Sequence, residues 1–146
     1  WDDDDWRDPA FLATVIPLLK GHAAAGLQRA LFYDLQTEKT WQLQQGPRMP
    51  IDATMVFWRK AWEANPFAEI SLGEGQKFLR RFPRTARVAA DNDPALYVAL
   101  RHEGNTTEWD PKPPIWRPAQ DARNAAGFAG ALVKLTSDGA SAGTSP

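Results

Sequence analysis

The residue types best suited to bind an anion lie in one short segment of the chain, KFLRRFPRTAR, at positions 77–87. Five cationic side chains occur there and no acidic one: Lys77, Arg80, Arg81, Arg84 and Arg87. Guanidinium groups bind phosphate and carboxylate oxygens through paired hydrogen bonds, and cations that neutralise nucleic-acid phosphates release counterions. The segment therefore predicts a binding surface for an acidic partner. The alternative is the solvent-facing side of an amphipathic helix, in which arginine stems cover apolar surface.

The first eight residues, WDDDDWRD, place five aspartates and one arginine beside Trp1 and Trp6. Adjacent aspartate side chains diverge, and the spaced ligands of a calcium loop are absent from the sequence, so we predict no metal site here. One interpretation is a solvated tail in which Asp8 interacts favourably with a helix dipole. The other is a docking arm, whose tryptophans enter apolar pockets and whose aspartates meet a basic surface. That surface would belong to a partner or to the chain's own segment 77–87.

Tryptophan is unusually frequent in this chain, with seven residues. Trp58 and Trp62 share an apolar helical stripe and are predicted to lie in the core. The last two tryptophans lie in a polar, proline-rich stretch, where folding back onto the domain and exposure to a partner are equally consistent with the sequence. Tryptophan and arginine are enriched in binding hot spots. The candidate contact residues are therefore the five cations of segment 77–87 together with Trp1, Trp6, Trp109 and Trp116.

Catalysis has little support in the sequence. There is no cysteine and there are two histidines, His22 and His102, so a cysteine nucleophile, a thiolate zinc site and a multi-histidine metal site are excluded. Nucleophile-elbow, phosphate-loop, zinc-protease and dinucleotide-binding motifs do not occur. Asp91 and Asp93 lie at the opposite end of a predicted strand from His102, so a catalytic pair would need long-range folding. We predict no catalytic residue, no metal and no cofactor.

Length and composition are those of one ordinary globular domain. The chain has 146 residues, of which 43% are apolar and 24% charged. The net charge of −1 exerts no general attraction for nucleic acid or acidic membranes. No apolar run approaches the length of a membrane span and no signal-peptide pattern is visible, so we expect a cytoplasmic protein that does not bind membranes. The alanine and arginine content is typical of a GC-rich bacterial genome.

The first part of the chain is predicted to form a helix followed by a hairpin. Asp8 and Pro9 are a typical helix start. Apolar residues at helical spacing continue to about residue 31, with a kink expected at Pro17. The apolar period then changes to two. Alternating apolar residues on both sides of the turn TEKT predict a β-hairpin over 31–44.

Further elements are predicted in the rest of the chain. Apolar spacing indicates a helix over 52–65 and, after a capping-box pattern, another over 72–82. The strand-like stretches 85–90 and 95–101, separated by the turn DNDP, are predicted to pair antiparallel. A last helix with a small-residue face is predicted over 119–135.

Together these elements predict an α+β fold, a single domain of about four helices packed on a small, mainly antiparallel sheet. The predicted organisation is an acidic-aromatic arm at 1–8, a globular domain at 9–136 and a disordered tail at 137–146. The leading hypothesis is a non-catalytic protein-interaction domain of accessory, adaptor or inhibitor type that uses the arm and the arginine segment. The first alternative is a nucleic-acid-binding domain that uses segment 77–87 with aromatic stacking. The second is a small hydrolase that uses His102 and a carboxylate.

Overall fold

A computed structural model describes residues 5–70, 73–105, 111–112, 114–125 and 127–133. Within them the chain forms a small α+β domain with two mixed sheets and four α-helices. The strands are β1 (Trp6–Arg7), β2 (Ala24–Leu27), β3 (Arg29–Asp34), β4 (Lys39–Gln44), β5 (Val56–Phe57), β6 (Arg87–Ala90), β7 (Tyr97–Arg101) and β8 (Trp116–Pro118). The helices are α1 (Ala10–Val15), α2 (Arg59–Ala64), α3 (Glu74–Arg80) and α4 (128–133). Short 3-10 helices lie at Ile16–Leu19, Asp52–Thr54, Arg84–Ala86, Pro94–Leu96 and Ala122–Asn124.

The β3–β4 hairpin confirms the predicted strand pair over 31–44. The strands pair in register from Arg29 opposite Gln44 to Asp34 opposite Lys39. The Asp34 carboxylate holds the turn by accepting a hydrogen bond from the Thr37 hydroxyl at 2.6 Å, a usual role for aspartate at the start of a turn. The hairpin contributes two strands to a five-stranded sheet of order β1-β7-β3-β4-β8.

The predicted antiparallel pairing of 85–90 with 95–101 is wrong. β6 runs parallel to β2 in a separate three-stranded sheet of order β5-β2-β6, and β7 runs parallel to β3 in the five-stranded sheet. The reason is that β2 and β3 form one extended run interrupted only at Gln28, and β6 and β7 follow it in the same direction. Of the six pairs between described strands, four are antiparallel and two are parallel.

A buried asparagine holds the point where the chain passes from one sheet to the other. The Asn92 side chain accepts hydrogen bonds from the backbone N–H groups of Gln28 and Arg29, both at 3.1 Å. It donates to the Arg29 carbonyl at 2.9 Å. Asn92 thereby satisfies backbone groups at the interruption between the two strands. The DNDP motif, which predicts a turn, therefore also stabilises this junction.

The first helix was predicted to continue to about residue 31, and this is wrong. α1 and the 3-10 helix that extends it end at Leu19. The alanine-rich run that follows forms β2, in which all four residues are buried. A strand buried on both faces has a continuous apolar sequence, which periodicity cannot distinguish from a helix. Gly26 is required in this strand because a Cβ at that position would lie only 2.8 Å from the Cβ of Pro50.

The predicted helix 52–65 consists of three different elements. A 3-10 turn and β5 come first, and α2 begins only at Arg59. The Thr54 hydroxyl fixes the turn on β2, because it accepts a hydrogen bond from the Leu27 amide at 2.9 Å and donates to the Ile51 carbonyl at 2.7 Å. The helical register that starts at Ile51 therefore does not extend into α2.

The other two predicted helices form over shorter ranges. α3 lies within 72–82, and a 3-10 turn and α4 lie within 119–135. α3 follows Gly73, whose φ of 73° lies in the left-handed region that glycine adopts without strain. Residues 1–4 of the predicted arm and the predicted tail at 137–146 lie outside the described residues.

Three clusters of buried side chains form the core. The first contains Phe11 of α1 and Tyr97 of β7, and the second lies on the other face of the five-stranded sheet around Tyr33 and Phe128. The third is centred on Phe78 of α3 and packs on the three-stranded sheet. Of the helices that the structure describes, none is long and apolar enough to cross a membrane.

Candidate binding surface

The described part of the N-terminal arm, residues 5–7, lies along the chain's own five-stranded sheet. β1 pairs antiparallel with β7. The Asp5 carboxylate accepts hydrogen bonds from the Tyr97 hydroxyl and, at 3.2 Å, from the Leu100 amide. The Asp5 side chain is only 6% exposed. This aspartate therefore attaches the arm to β7 through buried, charge-assisted hydrogen bonds.

The tryptophan of the arm is also engaged within the chain. The Trp6 ring packs edge to face on Phe128 of α4, with ring centroids 5.9 Å apart. Both contacts of the arm lie on the five-stranded sheet, whereas segment 77–87 ends in β6 of the other sheet. The described part of the arm therefore does not meet the arginine segment. Trp1 and residues 2–4 lie outside the description.

The arginine segment covers the outer side of α3 and the chain that follows it. Phe78 and Leu79 are fully buried and face the core. The cationic side chains of α3 and of the next 3-10 turn point to solvent, and only the last arginine of the segment is buried. The exposed residues are Lys77, Arg80, Arg81 and Arg84.

Arg87 differs from the rest of the segment because it is only 7% exposed. Its Nη1 approaches the Met49 sulfur at 3.4 Å, a weak acceptor. Its Nε is buried without a hydrogen-bond partner. Burial, followed by the nearby charges of Arg84 and Arg80, lowers the pKa of the Arg87 guanidinium below its ordinary value.

The five cations of the segment are not neutralised within the part of the chain that is described. No ion pair there joins any of them to a carboxylate. Arg81 donates instead to the Pro66 carbonyl at 2.5 Å. The structure thus brings the predicted basic residues to one region, where no carboxylate of the described residues compensates their charge.

An aromatic cluster joins the loop after α2 to α3. Phe67 packs on Phe57 at 5.7 Å and on Phe78 at 4.8 Å between ring centroids. Phe82 packs on the other side of Phe78 at 5.0 Å. Together with the hydrogen bond from Arg81 to Pro66, these contacts make the α2 segment and the arginine segment neighbours on the surface.

The prediction that Trp58 and Trp62 lie in the core is wrong. Their side chains are 55% and 38% exposed. α2 begins after β5, so these residues do not continue the buried stripe of Ile51 and Met55. Trp58 precedes the first helical residue, and its indole N–H donates to the Leu19 carbonyl at 3.1 Å.

The exposed tryptophans and the exposed cations lie on two neighbouring segments beside the three-stranded sheet, which the Phe67 contacts and the hydrogen bond from Arg81 to Pro66 bring together. Sequence reasoning missed the tryptophan part of it. The signal that was available is the sequence WRKAW, where Arg59 and Lys60 lie between the two tryptophans. We call this region the aromatic-arginine surface, formed by Trp58, Trp62, Phe67, Lys77, Arg80, Arg81 and Arg84.

Two other predicted contact residues, Trp109 and Trp116, are not part of the aromatic-arginine surface as described. Trp116 of β8 is half-buried and packs edge to face on Phe32, with ring centroids 4.8 Å apart. Trp109 lies outside the described residues. The structure therefore does not bring Trp116 to the aromatic-arginine surface.

Of the residues considered for catalysis, His102 and Asp93 stabilise turns, and Asp91 pairs with Arg29 at 2.8 Å. The His102 ring accepts a hydrogen bond from the Gly104 amide at 3.1 Å. Asp93 and Asp121 cap 3-10 helices, with Asp93 accepting from the Ala95 amide at 2.9 Å. These two aspartates line an open, polar cleft of about 470 Å³ over the five-stranded sheet. In the residues that can be described, no group of three or more potential metal ligands occurs.

Comparison of the chain with protein-family models, with curated proteins and with solved structures finds no match. A functional proposal therefore depends on the residues of this chain and their geometry.

Proposed function

We propose that the protein is a non-catalytic protein-interaction domain that binds an acidic segment of a partner protein on the aromatic-arginine surface. The observation that carries the proposal is the exposure of Trp58 and Trp62, together with the arginines of segment 77–87, which pair with no carboxylate in the described chain. Tryptophan and arginine are the side chains most enriched in protein-binding hot spots. Their occurrence on one surface supports binding of a partner there.

The tryptophans would supply most of the affinity. Removing apolar surface from water contributes roughly 25 cal/mol per Å², and an indole ring offers a large apolar area with few rotatable bonds. Trp58 is already held by its hydrogen bond to the Leu19 carbonyl. A ring that is ordered before binding loses less side-chain entropy when the partner arrives.

The arginines would determine which net charge of the partner is favoured. Exposed ion pairs contribute only about 0–1 kcal/mol each, so the arginines favour acidic over basic partners and accelerate association more than they add affinity. Salt screens such interactions. Binding is therefore expected to weaken as the salt concentration rises.

The N-terminal arm has a different part in this proposal. Asp5 and Trp6 are engaged by β7 and Phe128, which favours a structural role for them. The prediction that the arm itself contacts a partner now depends on Trp1 and the aspartates at 2–4. The main contact is assigned to the aromatic-arginine surface.

Binding to an array of synthetic peptides graded by net charge, each with or without an apolar anchor residue, tests the proposal. We expect binding to rise with acidity and to require the anchor. Trp58→Ser/Trp62→Ser should abolish it without unfolding the protein, which circular dichroism checks. The control Ile115→Ser removes a side chain that is 47% exposed elsewhere on the molecule and should bind as the wild type does. Equal binding of basic peptides, or unchanged binding by the tryptophan variant, would overturn the proposal.

Nucleic acid is the second candidate partner, favoured by the same two exposed tryptophans next to Arg59 and Lys60. Bases stack on aromatic rings, and each such contact contributes about 1–3 kcal/mol. This candidate predicts a steep fall of affinity with salt. Titration of a fluorescent single-stranded oligonucleotide at several salt concentrations tests it. Absence of binding at low salt removes the candidate.

A further inference from the structure

Arg87 is a buried cation whose Nε donor is unused and whose Nη1 meets a weak acceptor. The residue is 7% exposed, its Nε has no hydrogen-bond partner, and its Nη1 reaches only the Met49 sulfur at 3.4 Å. A buried polar group without a partner is rare in native proteins. A buried charge without a partner is more costly, because desolvation is not offset by any opposite charge.

The charged groups that face Arg87 are also cations. Arg84 and Arg80 lie close enough to lower the pKa of its guanidinium, and no acidic group of the described residues is among the charges that act on it. The Arg48 side chain donates to the Arg87 backbone carbonyl at 3.2 Å. Its Nη1 also lies 3.4 Å from Nε2 of His22.

The tautomer of His22 is consistent with this arrangement. Nδ1 of His22 lies 2.7 Å from the Leu18 carbonyl, which can only accept a hydrogen bond. The proton is therefore assigned to Nδ1, and Nε2 is left as an acceptor for Arg48. In this tautomer His22 orients the Arg48 guanidinium.

We infer that Arg87, together with Arg48, Arg80 and Arg84, forms a subsite for one phosphate group carried by the partner's docking segment. The inference rests on the proposed function in that the phosphate is placed on a protein partner. A phosphate ester carries a charge of about −1.5 to −2 at neutral pH and three acceptor oxygens. It therefore compensates several guanidiniums at once, which a carboxylate with a single charge does less well.

A phosphorylated protein segment fits this region better than a nucleic acid. Arg87 offers one largely buried guanidinium for one anion, whereas a nucleic-acid backbone presents a row of evenly spaced phosphates. Two exposed acids lie close to the segment in the chain, Glu69 before α3 and Glu74 in its first turn. They would repel a polyanion that runs along the segment more than a single phosphate bound at Arg87.

Thermal melting and calorimetry with inorganic phosphate, compared with acetate and chloride at the same ionic strength, test the subsite directly. We expect phosphate to raise the melting temperature of the wild type more than acetate does. Arg87→Met, which keeps the volume and removes the charge, should bind phosphate at least about tenfold more weakly. Equal stabilisation by phosphate and acetate, or unchanged phosphate binding by Arg87→Met, overturns the inference.

A second pair of variants keeps the test valid if Arg87→Met fails to fold. Arg80→Gln/Arg84→Gln removes two exposed charges from the subsite and should weaken phosphate binding. Lys39→Gln/Arg117→Gln removes two exposed charges elsewhere and should leave it unchanged. Equal loss in both double variants overturns the inference, because it would show a general effect of net charge.

Two further experiments distinguish a protein-borne phosphate from a nucleic-acid phosphate, and the failure of the subsite from the failure of the proposed function. A peptide with one phosphoserine should bind more tightly than its unphosphorylated form, whereas tighter binding of a single-stranded oligonucleotide than of the phosphopeptide overturns the protein source. Trp58→Ser/Trp62→Ser should keep inorganic phosphate binding and lose peptide binding. Peptide binding that survives in Arg87→Met without any preference for phosphoserine removes the subsite and leaves the proposed function standing.

Discussion

Around the five-stranded sheet, two arginines have acidic partners within the chain. Arg29 pairs with Asp91 at 2.8 Å, and Arg123 pairs with Asp121 at 2.6 Å. Beside the three-stranded sheet, Arg80 and its neighbours in segment 77–87 pair with no carboxylate that the structure describes. The charge of the first two arginines is compensated within the fold, whereas that of segment 77–87 is not compensated by any described carboxylate.

The tryptophans differ between the two regions in the same way. Trp6 packs on Phe128 and Trp116 packs on Phe32, both at the five-stranded sheet. Trp58 and Trp62 keep large exposed areas beside the three-stranded sheet. Folding therefore packs these aromatic rings in one region and leaves those of the other largely exposed.

The largest expected effect comes from removing the support of the aromatic-arginine surface. Phe78→Ala should lower the free energy of unfolding by about 3–5 kcal/mol, because Phe78 is fully buried and contacts Phe57, Phe67 and Phe82. Chemical denaturation measures this loss. Trp62→Ala removes a ring from the exposed side and should lower the free energy of unfolding by less than about half as much. Equal losses of unfolding free energy in the two variants would contradict the view that Phe78 supports the fold while Trp62 lies on its surface.

A smaller loss is expected at the arm. Asp5→Ala leaves the Tyr97 hydroxyl and the Leu100 amide without this acceptor and should lower the free energy of unfolding by about 1–3 kcal/mol. The matched control is Asp91→Ala, because the side chain of Asp91 is 80% exposed in its pair with Arg29. That variant should lose less than about 1 kcal/mol. If both variants lose the same amount, the arm is not fixed by its buried carboxylate.

Replacing the buried Arg87 should stabilise the protein, whereas the substitutions above should destabilise it. Arg87→Met removes an uncompensated buried charge and should raise the free energy of unfolding by about 1 kcal/mol. Arg123→Met removes an arginine that pairs with Asp121 and Glu38 and should lower it slightly. Urea denaturation of the two variants side by side measures both changes. A clear destabilisation by Arg87→Met would assign Arg87 to the fold rather than to binding.

The smallest effect concerns the pH dependence of the β3–β4 turn. Burial raises the pKa of Asp34, but hydrogen bonds from the Thr37 hydroxyl and from the Gln36 and Thr37 amides outweigh it, so the pKa lies below its ordinary value. Its contribution to stability is complete above the unfolded pKa of about 3.9 and is lost as the pH falls through the lower folded value.

Asp34→Asn should therefore flatten the loss of stability on acidification below about pH 4. Thr37→Ala, which removes one donor, should flatten it partly. Thermal melting in a series of acidic buffers measures the slope. The same slope in wild type and Asp34→Asn would show that this turn does not sense pH.

Local elements were predictable where a pattern had one structural solution. The hairpin over 31–44 alternates apolar residues on both sides of a turn, and α3 has buried residues at helical spacing, although it follows Gly73 without a side-chain cap. β2 was not predictable, because a fully buried strand and a buried helix share a continuous apolar sequence. For the candidate site, the sequence indicated the cations of segment 77–87, whereas the exposure of Trp58 and Trp62 was missed.

Local sequence patterns were enough to predict the turns, the hairpin, α3 and the clustering of five cations in segment 77–87, because each depends on residues close together in the chain. Four features became visible only in the folded chain: the parallel pairing of β6 with β2, the pairing of the arm with β7, the exposure of Trp58 and the burial of Arg87. Each of these depends on which distant segment covers a given face. Burial is a property of the assembled chain, and local periodicity does not encode it.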